Sequence, residues 1–234
     1  MQVSQASVPE LPTTVLITGA NKGHGRALAA RFLLQSNTVV VCAVRTTSQT
    51  LSQLSRGKDS RLIIVKIDST LDSDAQDAVQ FIQNKYDIAR LDIVIANTGY
   101  GTVYGDLSQV EPDNVRRAVE VNAIGQRPRF VLIGTPIASI GAMENSPWPM
   151  VAYGMSKAAA HYLTRKVHCE SPGITVFVVD PGFMQTDAGN TGARHFGYEQ
   201  AFVPVNVAAD LTFDQVVNAT REKTSGRFVT IDET

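Results

Sequence analysis

Thr18-Gly19-Ala20-Asn21-Lys22-Gly23-His24-Gly25 follows the apolar run Val15-Leu16-Ile17 and leads into an alanine-rich stretch, Arg26 to Leu34. The order is strand, glycine turn, helix. Glycines at 19, 23 and 25 let the backbone turn tightly, approach a pyrophosphate closely and aim the free amides of a helix N-terminus at the anion. The expected ligand is a nucleotide. The spacing is Gly-x3-Gly-x-Gly instead of the commoner Gly-x-Gly-x2-Gly, so the flanking strand and helix carry the assignment.

Outward from this turn the hydrophobic period keeps switching between short β-rich runs and longer helical patterns, as in repeated βα units on a parallel sheet. Strands are expected over 14–18, 38–44, 62–67, 92–96, 130–134, 175–179 and 227–231. Helices are expected over 25–35, 72–86, 109–123, 151–169 and 207–223, with a weaker one near 49–56. The pattern predicts an α/β chain, residues 1–234 forming a single doubly wound Rossmann domain on a seven-stranded parallel sheet. A length of 234 residues with 44% hydrophobic content supplies the core for it. The Gly/Pro-rich stretches 135–149 and 181–204 follow strands, where such sheets place their ligand loops.

A formal charge of -1 without a basic cluster argues against nucleic acid as a partner. Cys42 and Cys169 are the only cysteines, which gives no basis for a disulfide framework or a Cys-rich metal site and suits a reducing cytosol. The first thirteen residues are polar with two prolines and no apolar core, and no later segment approaches eighteen uninterrupted apolar residues. No membrane anchor is expected.

Further motifs follow in order. Asp68 closes the third strand, Ala96-Asn97-Thr98-Gly99 closes the fourth and Asn122 lies in a helix. Tyr153-Gly154-Met155-Ser156-Lys157 opens another helix, and Pro181-Gly182-Phe183-Met184-Gln185-Thr186-Asp187 follows the sixth strand. With the glycine loop, these elements span essentially the whole chain and resemble the short-chain dehydrogenases/reductases. Within that family, residues 127–140, the Tyr153 to Lys157 segment and the ending Thr224-Ser225-Gly226-Arg227-Phe228-Val229 most resemble fungal norsolorinic acid ketoreductases and sniffer-like carbonyl reductases.

The resemblance implies an NADPH-dependent reductase that transfers hydride to a ketone, with an aromatic polyketide of fungal secondary metabolism as a candidate substrate. Tyr153 and Lys157 lie four apart and share a helix face. Alone, such a pair is usually a solvated lysine beside a half-buried tyrosine; the ordered motifs around it point to catalysis. Tyrosine has an ordinary pKa near 10, so a neighbouring ammonium is needed for proton exchange near neutrality. By resemblance Tyr153 protonates the carbonyl oxygen, Lys157 supplies the charge and holds the ribose hydroxyls, and Asn122 positions a relay water. Asn122 also reads as a helix-interior amide bonded to local backbone. Where the family places a serine after the fifth strand, this chain has Gly134-Thr135-Pro136. Thr135 is the positional match for the hydroxyl that steadies the carbonyl and Ser139 the fallback, and either suits a simple loop turn.

The residue after the second strand sets cofactor preference, and here Ala43-Val44-Arg45 offers no carboxylate for a ribose 2′-hydroxyl. Arg45, with Lys22 in the glycine loop, suits a 2′-phosphate and so NADPH or NADP; both cations also read as solvated surface residues. Gly19, Asn21, Lys22, Gly23 and Gly25 cradle the nucleotide in this reading. Asp68 meets the adenine edge, and Pro181, Gly182 and Thr186 approach the carboxamide or pyrophosphate. Asn97, grouped with them, is expected to fix the central strands as a buried amide would. His24 stands where the family carries an apolar residue and reads as packed or solvated, with no second ligand to support a metal. Trp148, Phe183, Met184, Phe196, Tyr198 and Phe202 suit either an apolar lid or ordinary loop packing. Two other functions fit the motifs: a noncatalytic nucleotide-binding module with a decayed site, and an NAD-dependent alcohol dehydrogenase.

One departure is large. Asn122 and Thr135 are thirteen positions apart, about half the family's usual connection, and only Ala123-Ile124-Gly125-Gln126-Arg127-Pro128-Arg129 precede Phe130. At roughly 3.3 Å per extended residue those seven reach about 23 Å, enough to cross a sheet layer but not as helix plus turn. The helix between Asn122 and Phe130 is therefore expected to be shortened, mostly nonhelical in its crossing, with apolar surface uncovered and a homodimer weakened or altered.

Overall fold

The computed structural model describes residues 11–46, 49–71, 73–100, 111–119, 131–145 and 148–231. Its strands are β1 Thr13–Thr18, β2 Thr38–Val44, β3 Arg61–Lys66, β4 Ile93–Ala96, β5 Val131–Ile133, β6 Phe177–Asp180 and β7 Phe228–Thr230. They form the seven-stranded parallel sheet expected from the sequence, in the order β3-β2-β1-β4-β5-β6-β7. Around it lie α1 Gly23–Leu33, α2 Gln49–Ser52, α3 Asp74–Tyr86, α4 Pro112–Val119, α5 Val151–Glu170, α6 Asp187–His195 and α7 Val205–Val217.

The continuous apolar run of β2 reflects burial on both faces, as a parallel sheet between two helical layers requires. Val40, Cys42 and Val44 pack with Leu28, Phe32 and Phe213 of α1 and α7. Val39, Val41 and Ala43 pack on the opposite face with Ala78 and Ile82 of α3. Phe32 and Phe213 meet edge to face at 4.7 Å, and Arg31 joins Asp210 at 2.8 Å, so α1 and α7 are fixed as a pair. Because β1 lies between β2 and β4, crossovers diverge there and leave a crevice beyond the strands' C-terminal ends.

Two expected boundaries change for physical reasons. The helix anticipated over 207–223 starts at Val205 and ends at Val217, where Asn218 Nδ2 donates to the Asp214 carbonyl. Beyond it Arg221 turns back to donate to the carbonyls of His168, Ser171 and Ile174 around the end of α5, a task incompatible with continued helix. The segment 181–204, read as loop, contains α6. Thr186 caps α6 by accepting from the Gly189 amide at 3.0 Å, and a Cβ on Gly189 would lie 1.9 Å from the Met184 carbonyl oxygen. The shortened crossing between Asn122 and Phe130, and the dimer expectation resting on it, lie outside the described residues.

Candidate active site

A cavity of about 650 Å³ fills the crevice, within the range that holds a ligand and part of a cofactor. The glycine loop forms one wall. Gly19 and Gly23 have φ of +65° and +54°, conformations that a side chain resists. Gly25 is constrained by space: a Cβ there would lie 2.4 Å from Asn97 Nδ2 and 2.5 Å from the Gly19 carbonyl oxygen. Lys22 at the cap of α1 makes no side-chain bond to the helix, so no capping side chain competes for the first amides, which are available to a phosphate oxygen. These residues fit a dinucleotide's pyrophosphate.

Asn97 holds this wall from behind. Its Nδ2 donates to the Thr18 carbonyl at 3.0 Å, and its backbone amide donates to Thr18 Oγ1 at 3.0 Å. The side-chain oxygen is then the acceptor facing His24 Nδ1 at 3.2 Å, which places the imidazole hydrogen on Nδ1. His24 is thus packed, and burial pushes its pKa down to about 4.

Arg45 and Lys22 both line the cavity. Lys22 Nζ also lies 3.4 Å from Asp187 Oδ2 of α6, with both side chains exposed. Asp68 does not line the cavity; the neighbouring Ile67 does. The Asp68 carboxylate accepts from the Thr70 amide and hydroxyl at 3.1 and 2.8 Å, bonds that hold its pKa below the usual range.

The other wall carries the residues expected to handle the proton. Tyr153 and Lys157 project from α5 into the cavity, with Lys157 Nζ 5.8 Å from the tyrosine ring centre. Lys157 is buried and donates to the Ile133 carbonyl at 2.8 Å, which fixes its ammonium at the end of β5. Burial lowers its pKa to about 8, leaving it mostly protonated at neutrality. Thr135 also lines the cavity, and its Oγ1 accepts from the Ile137 amide at 3.4 Å. A hydroxyl that accepts there keeps its own hydrogen to donate, so the turn role and the carbonyl-steadying role are compatible. Ser139 is exposed and off the wall. Pro181, Gly182 and Thr186 line the cavity between the two sides, while Asn122 lies outside the described residues.

Aromatic side chains close the outer end. Trp148 meets Phe196 at 4.7 Å, Tyr198 meets Phe202 at 5.1 Å, and Phe183 meets Phe202 at 5.6 Å. Trp148, Phe183, Phe196 and Phe202 face the cavity. The residue that sequence reasoning passed over is His161, one helical turn beyond Lys157 on the same face; the i, i+4 spacing that marked the Tyr153–Lys157 pair could have marked it.

A profile of the short chain dehydrogenase family matches residues 13–127. The norsolorinic acid ketoreductase of Emericella nidulans is 36% identical, over 98% of this chain and 96% of that protein. The chain belongs to the short-chain dehydrogenase family. It is thus an oxidoreductase. The norsolorinic acid ketoreductase of Aspergillus parasiticus is a comparably similar family member, 38% identical over 94% of this chain and 89% of that protein. Two solved structures agree in shape. The carbonyl reductase Sniffer of D. melanogaster superposes with a TM-score of 0.78 at 18% identity, covering 96% of this chain and 98% of that one. An NADPH-bound carbonyl reductase from chicken fatty liver gives 0.77 at 19% identity, covering 95% and 98%. Among the described residues no helix is long and apolar enough to cross a membrane.

Proposed function

We propose that this oxidoreductase is an NADPH-dependent ketone reductase acting on a planar aromatic ketone. The observation that carries the reading is the placement of Tyr153, Lys157 and Thr135 on one cavity wall opposite the glycine loop. NADPH, when bound, supplies hydride to the carbonyl carbon. The Thr135 hydroxyl donates to the carbonyl oxygen and orients it, and the Tyr153 hydroxyl gives that oxygen its proton. Taking a proton from an ordinary tyrosine costs about 4 kcal/mol at pH 7. A cation about 6 Å away at an effective dielectric near 20 returns about 3 kcal/mol to the anion. The Lys157 ammonium thus offsets most of that cost, and its bond to Ile133 keeps it in place. Asn122 completes a water relay in this reading.

Arg45 and Lys22 favour NADPH through its 2′-phosphate. The aromatic face of Trp148, Phe183, Phe196 and Phe202 favours a flat, apolar substrate, in keeping with the polyketide ketoreductases among the relatives. A role in fungal secondary metabolism within the cytosol follows from the same likeness, and residues 1–234 act as one domain. The test is NADPH oxidation with aromatic and small ketones, run beside Tyr153→Phe. Tyr153→Phe is expected to keep NADPH binding and lose turnover by about a hundredfold or more. Undiminished turnover in that variant would overturn the role of Tyr153. NADPH binding without turnover across the panel would identify a binding module, and preference for NAD an alcohol dehydrogenase.

A further inference from the structure

Among the described residues, His161 is half-buried and carries a buried ring nitrogen close to the reacting wall that the mechanism above leaves unused. Its imidazole lies beneath α5 against the end of the sheet, tilted over Phe228 of β7 at 5.4 Å. The Nε2 atom is buried and makes no hydrogen bond among the described residues. Burial, with the nearby Lys157 charge, pushes the ring's pKa down to about 4, so the side chain is neutral at physiological pH. Stability alone would favour an apolar side chain in such a place.

Gly134 explains how the ring fits. A Cβ at that position would lie 2.6 Å from His161 Nε2 and 2.2 Å from Val178 Cγ1. Gly134 has no positive φ, so the demand for glycine is one of room, and the imidazole and Val178 together occupy that room. Its two neighbours both belong to the proton machinery: Ile133 supplies the carbonyl that anchors Lys157, and Thr135 carries the candidate carbonyl-steadying hydroxyl. Pressure or slack at Gly134 moves both.

We infer that His161 is a positioning residue: by filling the space that Gly134 leaves open behind the cavity wall, it fixes the end of β5 and with it the Lys157 ammonium and the Thr135 hydroxyl. The inference rests on the reductase reading for its catalytic consequence, but the packing it describes does not. His161→Ala leaves a void behind the wall, and Gly134→Ala forces a methyl against the ring. In the double variant the new methyl leans into the vacated space, away from Val178, which is its nearer neighbour.

The test is a cycle of His161→Ala, Gly134→Ala and the double variant, read by kcat, KM, NADPH affinity and melting temperature. His161→Ala is expected to lower kcat about tenfold while KM stays within about threefold, since geometry and not binding is disturbed. Gly134→Ala is expected to lower kcat about a hundredfold, and the double variant to regain at least about tenfold over it, a coupling that independent sites do not show. Native kcat in His161→Ala, or a double variant no better than Gly134→Ala, overturns the proposal. Should Gly134→Ala fail to fold, recovery of cooperative melting and NADPH binding in the double variant supports the pairing, and continued failure refutes it. If the native chain reduces no ketone, the reductase reading fails. The melting and NADPH-affinity cycle still decides the role of His161, because losses that merely add would overturn it.

Discussion

The two walls of the cavity are built on different principles. The glycine-loop wall is backbone: Gly19, Gly23 and Gly25 present main-chain groups, and Asn97 and His24 brace them from behind. The α5–α6 wall is side chain: Tyr153, Lys157, Thr135 and a tier of aromatics reach inward, and Phe202 and Tyr198 remain exposed in part. Backbone recognition tolerates almost no change of residue and serves a ligand of fixed shape. Side-chain recognition can be altered one residue at a time, which suits a substrate that differs between relatives.

Each wall carries one histidine whose Nε2 is buried, which gives the largest expected effect. His24 and His161 both have pKa values lowered to about 4 from an unfolded value of 6.5. Below pH 6.5 the unfolded chain binds more protons than the native one, so stability falls as pH drops from about 6.5 towards 4. Each site contributes a loss of about 3 kcal/mol once the pH is below 4. Urea melts across this range should show a steep acid limb, and His24→Leu and His161→Leu should each remove about half of it. A limb unchanged in both variants would mean that carboxylates govern acid unfolding.

Gly25→Ala tests the backbone wall itself. The added Cβ would meet the Asn97 amide and the Gly19 carbonyl, so the loop must shift; NADPH affinity should fall by about a hundredfold or more, roughly 3 kcal/mol. Calorimetric titration showing native affinity would place the cofactor elsewhere. Arg45→Ala should weaken NADPH by about 1.5–3 kcal/mol, roughly ten- to 150-fold, and leave NADH nearly unchanged. Equal losses for the two cofactors would remove its 2′-phosphate role. Trp148→Ala should raise KM for aromatic ketones about tenfold and spare small ones, because only a flat substrate uses its face. A uniform effect on both would reduce the aromatic tier to packing.

This division also explains what was legible in the sequence. A backbone wall needs glycines at fixed places, so Gly19, Gly23 and Gly25 announce it, and the succession of strands and helices follows from alternating periods. The sheet has the seven parallel strands expected, with ends moved by one or two residues at several places. Helix α6 was hidden because Gly189 and Gly192 lower its helical propensity; Thr186, Asp187 and the basic end Arg194-His195 were the available signal. The role of Asp68 was not legible, because a carboxylate near a strand end looks alike whether it faces a ligand or its own turn, and Thr70 bonds to it here. Thr135 could be placed by position alone. The i, i+4 spacing from Lys157 could have marked the place of His161 but not its neighbour, since the close approach to Gly134 is a relation between α5 and β5 that no local pattern contains.

The Lys22–Asp187 contact joins the two walls at their rim. Any phosphate that draws the Lys22 ammonium to itself must take it from Asp187, and α6 then loses a tether to the glycine loop. In the language of linked equilibria, the first ligand loosens the surface that receives the second, and a tight α6 in turn disfavours the first. Both partners are exposed, so the coupling is bounded by the worth of a surface ion pair, at most about 1 kcal/mol, or roughly fivefold in either affinity. It is also screened by salt, so the order in which the two ligands prefer to arrive becomes a property of the medium as well as of the protein.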